Sequence, residues 1–294
     1  MLEAVPNLSE GRDAALLGSL AHAFAARALV LDVHADADHH RAVFTLAAEA
    51  EELVDALLGG IALAVETIDL RRHEGVHPRV GVADVVPVAP LVPEGMPRAV
   101  SVARSLASRL GAELGLPVFH YGELGEGRRP AFFRRGGLDE LRRRVEAGEL
   151  EPDAGPATID PRSGVALVGA RQPLVAYNVV LATDDVEVAR EVARAVRGSS
   201  GGMVGVQAIG LLLPQSARVQ VSMNIIDVEL APLHEVVERV RQEAAARGVE
   251  VATGELVGLV PAHVLDTARA ANVVIPGVDA SRVLEHVLAS RLAE

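Results

Sequence analysis

The chain has no cysteine and no lysine, so all 28 of its Lys-plus-Arg positions are arginine. Without cysteine there are no disulfides, no thiolate metal sites and no thiol nucleophiles. Without lysine there is no phosphate-loop lysine, no Schiff base and no lysine general base. Aromatic residues make up only 2% of the 294 positions, and the net charge is -12. Nucleic acid is therefore a poor partner, because it needs a positive field and, for single strands, stacking platforms. No apolar run reaches membrane-spanning length, and the opening MLEAVPNLSEGRD lacks the basic and apolar regions of a signal peptide. The expectation is a soluble, cytoplasmic chain with no membrane partner. Half of its residues are apolar, enough for one large domain or two modest ones.

Hydrophobic periodicity gives a strand over Leu2–Pro6, a helix over Arg12–Ala26, strands over Ala28–Val33 and Arg41–Leu46, a helix over Glu49–Ile68 and a strand over Val80–Val88. That order is β-α-β-β-α-β, the ferredoxin-like unit. A helix over Pro97–Leu114 and a strand over Pro117–Tyr121 extend it. Prolines, glycines and acidic residues break the pattern between Gly148 and Ser163. It then starts again: strand Leu174–Leu181, helix Val186–Val196, strands Gly205–Leu213 and Arg218–Ile226, helix Pro232–Arg247 and strand Val249–Val260. The reading is an α/β (α+β) chain of two ferredoxin-like βαββαβ subdomains, residues 1–172 and 173–294.

The segment HEGVHPRVGVADVVPV, His73 to Val88, holds two histidines four apart, then Arg79, at the mouth of an apolar strand. It suggests proton transfer on an anionic substrate, since imidazole titrates near neutrality and guanidinium grips carboxylates with two parallel bonds. A loop whose histidines only cap backbone is the other reading. The zinc-protease HExxH is not met, because Gly75 disfavours a helix and Pro78 pushes His77 to an extended form. The run Asp32 to Arg41, DVHADADHHR, places Asp32, His34, Asp36 and Asp38 on one face if extended, with Val33, Ala35 and Ala37 packed on the other. It can hold substrate, hold a metal, or be solvated. Ser9 reads as a helix cap, which leaves Asn7 and Arg12 unexplained. Arg197 to Gly202 either cradles an anion or ends a helix. Gln220, Ser222 and Asn224 form a polar stripe on an otherwise apolar strand, suited to a ligand or an interface between the halves. The arginines from Arg128 to Arg144 form either a field for a polyanion or a solvated helix face.

Taken together, VPNLSEGRD, ALVLDVHADADHHRAVFTL, IDLRRHEGVHPRVGVADVVPVAPL, GAELGLPVFHYGE, VGARQPLVAYNVVLATDD, VRGSSGGMVGVQAIG, VQVSMNIIDVELAPLHEV and GELVGLVPAHVL resemble, in order, the formiminotransferase family of folate-dependent histidine degradation. The resemblance implies two ferredoxin-like subdomains with a folate tunnel between them, and a homodimer. It places the catalytic histidine in Gly75-Val76-His77-Pro78-Arg79, hence His77. The folate loop follows Asp153-Ala154-Gly155-Pro156 and comprises Gly155, Pro156, Ala157, Thr158, Ile159, Asp160, Pro161, Arg162, Ser163 and Gly164. The fused cyclodeaminase of the animal enzymes has no counterpart here, so closing the product's ring is expected to fall to another protein. ATIDPRSG departs from the family at several positions of that loop.

The implied reaction moves a formimino group from N-formimino-L-glutamate to N5 of tetrahydrofolate, a cosubstrate, and needs no metal. One imidazole between the two nitrogens serves both proton steps, and His77 is the expected group. Arg41 and Arg79 are candidates for the donor's carboxylates, Asp32 or Asp36 for its cationic amidine, and His34 and His40 for orienting these groups. Asn7 and Asn224 complete the candidate substrate contacts. The alternatives are formyl transfer between 5-formyltetrahydrofolate and N-formylglutamate, a folate-binding protein without turnover, and a metal-dependent hydrolase on the His34–His40 run.

Overall fold

The computed structural model describes residues 1–293. It contains two compact units, Met1–Gln172 and Pro173–Glu294.

The first unit begins with β1 (Leu2–Ala4) and β2 (Asn7–Leu8). The sequence suggests one strand ending at Pro6. Instead Val5 and Pro6 interrupt a strand that resumes, because both pieces pair with the same neighbours, β4 (Arg41–Ala48) and β5 (Ala83–Pro90). Proline has no N–H to give the ladder, which accounts for the gap. Helix α1 (Ala14–Ala25) starts two residues later than expected, and Asp13, not Ser9, is its cap, accepting from Ala15 and Leu16 N–H. Ser9 donates its hydroxyl to the Gly81 carbonyl at 2.8 Å. Then come β3 (Leu29–Asp36), β4, α2 (Ala50–Thr67) and β5. The order across the sheet is β3, β4, β1 with β2, then β5, all antiparallel. This is the ferredoxin-like pattern expected from the sequence.

Two features extend it. Helix α3 (Met96–Leu114) leads to β6 (Val118–Gly122), and α4 (Pro130–Arg134) and α5 (Gly137–Glu146) precede β7 (Ala166–Ala170). Strand β7 lies between β5 and β6, parallel to both. The sequence reading passed over β7, a five-residue run of Ala, Leu, Val and Gly hidden behind the break. Every residue of β5 is buried, which is why it reads as a continuous apolar run rather than an alternating one.

One sheet face carries α1, α2 and α3. Helix α2 sets Leu53, Leu57, Ile61 and Ala64 on that face, fully buried at helical spacing; each large side chain contributes about 1.5–3 kcal/mol. Gly60 lets α2 approach α1, since a Cβ there would stand 2.1 Å from the Phe24 ring. Phe24 in turn packs on Phe44 of β4, ring centres 5.1 Å apart. On the opposite face, Phe133 of α4 and Leu141 and Val145 of α5 cover the β5–β7–β6 side, packing with Val85, Tyr121 and Leu167.

The second unit repeats the pattern: β8 (Val175–Leu181), α6 (Val186–Val196), β9 (Val206–Leu213), β10 (Arg218–Ile225), α7 (Leu233–Ala245) and β11 (Val251–Val257), in sheet order β11-β8-β10-β9. Asp185 caps α6, its carboxylate accepting the Glu187 N–H. Two further helices, α8 (Ala262–Ala270) and α9 (Leu284–Ala293), follow. Among the described residues no helix is long and apolar enough to cross a membrane.

Candidate active site

The register of the first sheet decides which polar groups meet. Asp32 pairs with Thr45, His34 with Val43, Asp36 with Arg41, and Asn7 with both Val43 and Val85. Directly opposed residues share a face. Ala42, Phe44 and Leu46 belong to the core under α1 and α2, so Asn7, Asp32, His34, Asp36 and Arg41 all lie on the other face. The sequence reading put Val33 and Ala35 in a packed layer; β3 is an edge strand and both are exposed. Strand β3 ends at Asp36, so Asp38 sits in the following turn instead of on the shared face. His40 closes that turn with a left-handed φ of 47°.

His73 to Val80 is irregular, not helical, as Gly75 and Pro78 require. It folds against the Asp36–Arg41 turn, bringing His77 to Arg41. Arg41 Nη1 lies 2.7 Å from His77 Nδ1 and 2.9 Å from Nε2, and Nη2 donates to Asn7 Oδ1. His77 Nδ1 is also 2.8 Å from the Pro78 carbonyl. A carbonyl only accepts, so with Nδ1 protonated this contact is a hydrogen bond and the Nε2 lone pair faces Arg41; with Nε2 protonated it is Nδ1 that accepts from Arg41 Nη1. Burial first, then the Arg41 and Arg134 guanidiniums, His39 and Arg79 hold the His77 imidazolium well below its ordinary range. His77 is thus neutral at pH 7. Arg41 itself is brought down to about 9, by burial and then by Arg134, with Asp84 opposing the shift; it stays charged at neutrality.

Arg79 does not present a free fork to a substrate. Its terminal nitrogens donate to the carbonyls of His39 (2.6 Å), His40 (3.0 Å) and His77 (3.1 Å), and one lies 2.7 Å from His73 Nε2. It clamps the two loops together, and this replaces the expected carboxylate role. His40 stacks on His73 with ring centres 4.0 Å apart and places Nε2 3.2 Å from Glu10 Oε1. Glu10 also accepts the N–H groups of Gly11, Arg12 and Asp13. Asp36 accepts His39 N–H at 2.7 Å, and Arg12 donates to the Ala37 carbonyl at 2.9 Å. His40, Asp36 and Arg12 therefore shape the turn that presents Arg41.

The Gly155–Gly164 segment runs without regular structure to Gly81, between the His77 segment and β5. Gly164 bridges to Gly81, and Ser163 O accepts Val82 N–H at 2.9 Å. Ile159 is buried beside Tyr121 and Phe133. Pro156, Ala157, Thr158, Asp160 and Pro161 are exposed, while Arg162 and Ser163 are half-buried. Gly155 and Gly164 have φ of 80° and 67°, and a Cβ on either would stand 2.3 Å from Leu116 O or 2.2 Å from Val80 O. Both glycines are demanded by the fold, so their substitution tests folding before it tests any ligand. Asn224 lies in the second unit, exposed on β10.

No motif marks Glu10, Asp84 or Tyr121, and His39 and Arg134 stand out only as members of the Asp32–Arg41 and Arg128–Arg144 runs. Asp84 and Tyr121 sit inside apolar strands, where a lone buried polar residue is the available signal. Among the described residues no three His, Asp or Glu side chains converge to hold a metal. What converges instead is a neutral imidazole among half-buried guanidiniums, an arrangement able to move a proton on a bound anion.

Comparison with known proteins agrees with this organisation. The family model of the formiminotransferase domain's N-terminal subdomain matches residues 1–171, and that of the formiminotransferase domain matches 176–277. The chain is similar to a glutamate formimidoyltransferase of Thermoplasma acidophilum, 36% identical over 294 residues, 97% of this chain and 96% of that one. A glutamate formimidoyltransferase of Streptococcus pyogenes serotype M1 is 36% identical over 270 residues, 90% of each. The formimidoyltransferase-cyclodeaminase of Gallus gallus is 38% identical over 272 residues, 89% of this chain and 50% of that one. Matched in order along both units, the chain belongs to the formiminotransferase family.

Proposed function

We propose that this chain transfers the formimino group of N-formimino-L-glutamate to N5 of tetrahydrofolate and releases L-glutamate, within histidine degradation. The observation that carries the reading is His77: partly buried, neutral, with its ring nitrogens held against a cation that a carboxylate can recruit. When the donor's carboxylate engages Arg41, the imidazole lone pair that faces it is released. His77 then takes the proton from the attacking nitrogen and returns it to the departing glutamate nitrogen as the tetrahedral intermediate collapses. Asp32, on the same sheet face as Arg41, supplies a carboxylate for the cationic amidine, and His34 beside it orients that contact. Residues 155–164 contact the folate through their exposed members and backbone. Their attachment at Gly81 and Val82, just beyond Arg79, supports this placement.

The test mixes purified protein with tetrahydrofolate and either N-formimino- or N-formylglutamate. Product is converted in acid to methenyltetrahydrofolate and followed by absorbance, with an EDTA control. Turnover with the formimino donor, insensitive to EDTA, is the expected result. Turnover with the formyl donor alone overturns the reading in favour of formyl transfer, and loss of activity to EDTA overturns the metal-free mechanism.

A further inference from the structure

Arg134 ends α4, within the arginine-rich stretch from Arg128 to Arg144. Its neighbours Arg142 and Arg143 pair with Asp139, Glu140, Glu146 and Glu149. Arg134 turns inward. Its guanidinium forms an ion pair with Asp84, a carboxylate only 2% exposed. The other Asp84 oxygen accepts the Val80 N–H at 2.7 Å, three residues beyond His77. Asp84 thus fixes both the end of the histidine segment and the position of the guanidinium.

The surroundings are short of negative charge. Arg134 is among the groups that oppose the charge on Arg41, on Arg79 and on His77, and Asp84 is the carboxylate that supports Arg41 and Arg79. The Nε atoms of Arg41 and Arg134 are both buried and make no hydrogen bond. Buried donors without acceptors are costly, and each Nε–H forms one tine of the planar fork that matches a carboxylate. Arg79 cannot serve, since its terminal nitrogens are engaged by backbone.

We propose that Arg134, positioned by Asp84, joins Arg41 to bind a carboxylate, and that this carboxylate belongs to the glutamate moiety of the donor. The inference rests on the transfer reaction proposed above and adds a specificity-determining residue to it. A folate also ends in glutamate carboxylates, so the experiment must separate the two sources.

The variants are Arg134→Gln, Arg134→Lys and the double variant Arg134→Gln with Asp84→Asn, which leaves no buried charge without its partner. Calorimetry measures binding of L-glutamate and, separately, of 5-formyltetrahydrofolate as a folate probe. Steady-state kinetics gives KM for each substrate, and thermal melting reports the fold. Arg134→Gln is expected to raise the donor KM and the glutamate Kd about 10- to 100-fold, the loss falling in KM rather than kcat. Folate affinity should stay within about twofold, Arg134→Lys should recover part of the loss, and the double variant should keep the donor defect while melting as a folded protein. An unchanged donor KM with a fall in kcat would make the Arg134–Asp84 pair a structural tie and overturn the proposal. A rise in folate Kd alone would overturn it in favour of the folate tail. Wild-type protein that binds glutamate through Arg134 without turning over would sink the transfer reaction and leave the subsite standing.

Discussion

The two units share one strand order yet differ in what they carry on the faces turned away from α1 and α2 in one and from α6 and α7 in the other. In the first, the third strand of the ferredoxin-like pattern presents Arg41, Val43 and Thr45, and the second presents Asp32, His34 and Asp36. In the second unit the corresponding strands, β10 and β9, present Gln220, Ser222 and Asn224, and Gln207, Ile209 and Leu211. Carboxylates, an imidazole and a half-buried arginine stand on one scaffold; on these strands of its repeat stand amides, a hydroxyl, aliphatic groups and the exposed Arg218, with no imidazole among them. The first unit also carries the α3–β7 extension, which contributes Tyr121, Arg134 and the 155–164 segment. Topology therefore does not assign chemistry here. Burial shifts tyrosines in both units, Tyr121 and Tyr177 each being pushed up to about 12, but the arginines and the imidazole it lowers around Arg41, Arg79 and His77 belong to the first.

The change expected to break this asymmetry most completely is His77→Asn. The amide keeps a polar group near Arg41 but cannot shuttle a proton near neutrality. Transfer should fall about 10²–10⁴-fold, with 5-formyltetrahydrofolate affinity and melting temperature close to wild type. His73→Asn should be far milder, because His73 touches Arg79 and the His40 carbonyl, not the Arg41–Asn7 pair. An active His77→Asn enzyme would remove the proton-transfer role, and an inactive His73→Asn beside it would move that role to His73.

A smaller effect is expected at Arg41. Arg41→Lys retains charge but cannot reach Asn7, His77 and a carboxylate with one planar group. The donor KM should rise about 10- to 100-fold, the equivalent of roughly 1.5–3 kcal/mol for a charge-assisted contact. Wild-type donor kinetics in this variant would place the donor's carboxylate elsewhere.

Much of this site is legible in the sequence because it is local. Gly75 and Pro78 forbid a helix at His77, and period-two alternation puts Asp32, His34 and Asp36 on one face. What is not legible is register and burial. Nothing in the linear spacing opposes Asp36 to Arg41, or folds Arg79 back onto the carbonyls of His39 and His40. Arg134 is one of many arginines until the fold sets Asp84 beneath it. Ser9 has the composition of a cap but is drawn into a sheet contact at Gly81, and Asp13 takes the cap. Strand β7 is hidden because its small, wholly buried residues show no alternation.

Acid should sharpen the contrast between the units. The lowered histidines His73, His77 and His120 all belong to the first unit, burial leading in each case. A histidine whose folded pKa is depressed binds its proton more readily when unfolded, so stability rises with pH across the interval and is lost as pH falls from 6.5. For His73 the window runs from 6.5 down to about 4. Hydrogen exchange followed from pH 7 to pH 4.5 should show amides of residues 73–90 losing protection before those of β8 and β10. His73→Asn should flatten part of that slope. The kcat/KM profile should keep its acid limb below 6.5, because His77 acts in its neutral form. Equal loss of protection in both units, or an acid limb above 6.5, would contradict the environment assigned to these imidazoles.

The smallest effect tests whether the second unit's polar face takes part at all. Asn224 is exposed, opposed to Gln207 and Ala176, on the stripe where Gln220 is 1% exposed and its Oε1 has no hydrogen-bond partner. A neutral hydrogen bond to a ligand is worth about 0.5–1.5 kcal/mol, so Asn224→Ala should weaken donor or folate binding by roughly two- to tenfold and leave melting unchanged. Ser222→Ala, on the same stripe, serves as the companion measurement. A defect in one substrate's KM with the other unaffected would tell which ligand this face touches. Wild-type values in both variants would confine the chemistry to the first unit and leave the second as scaffold.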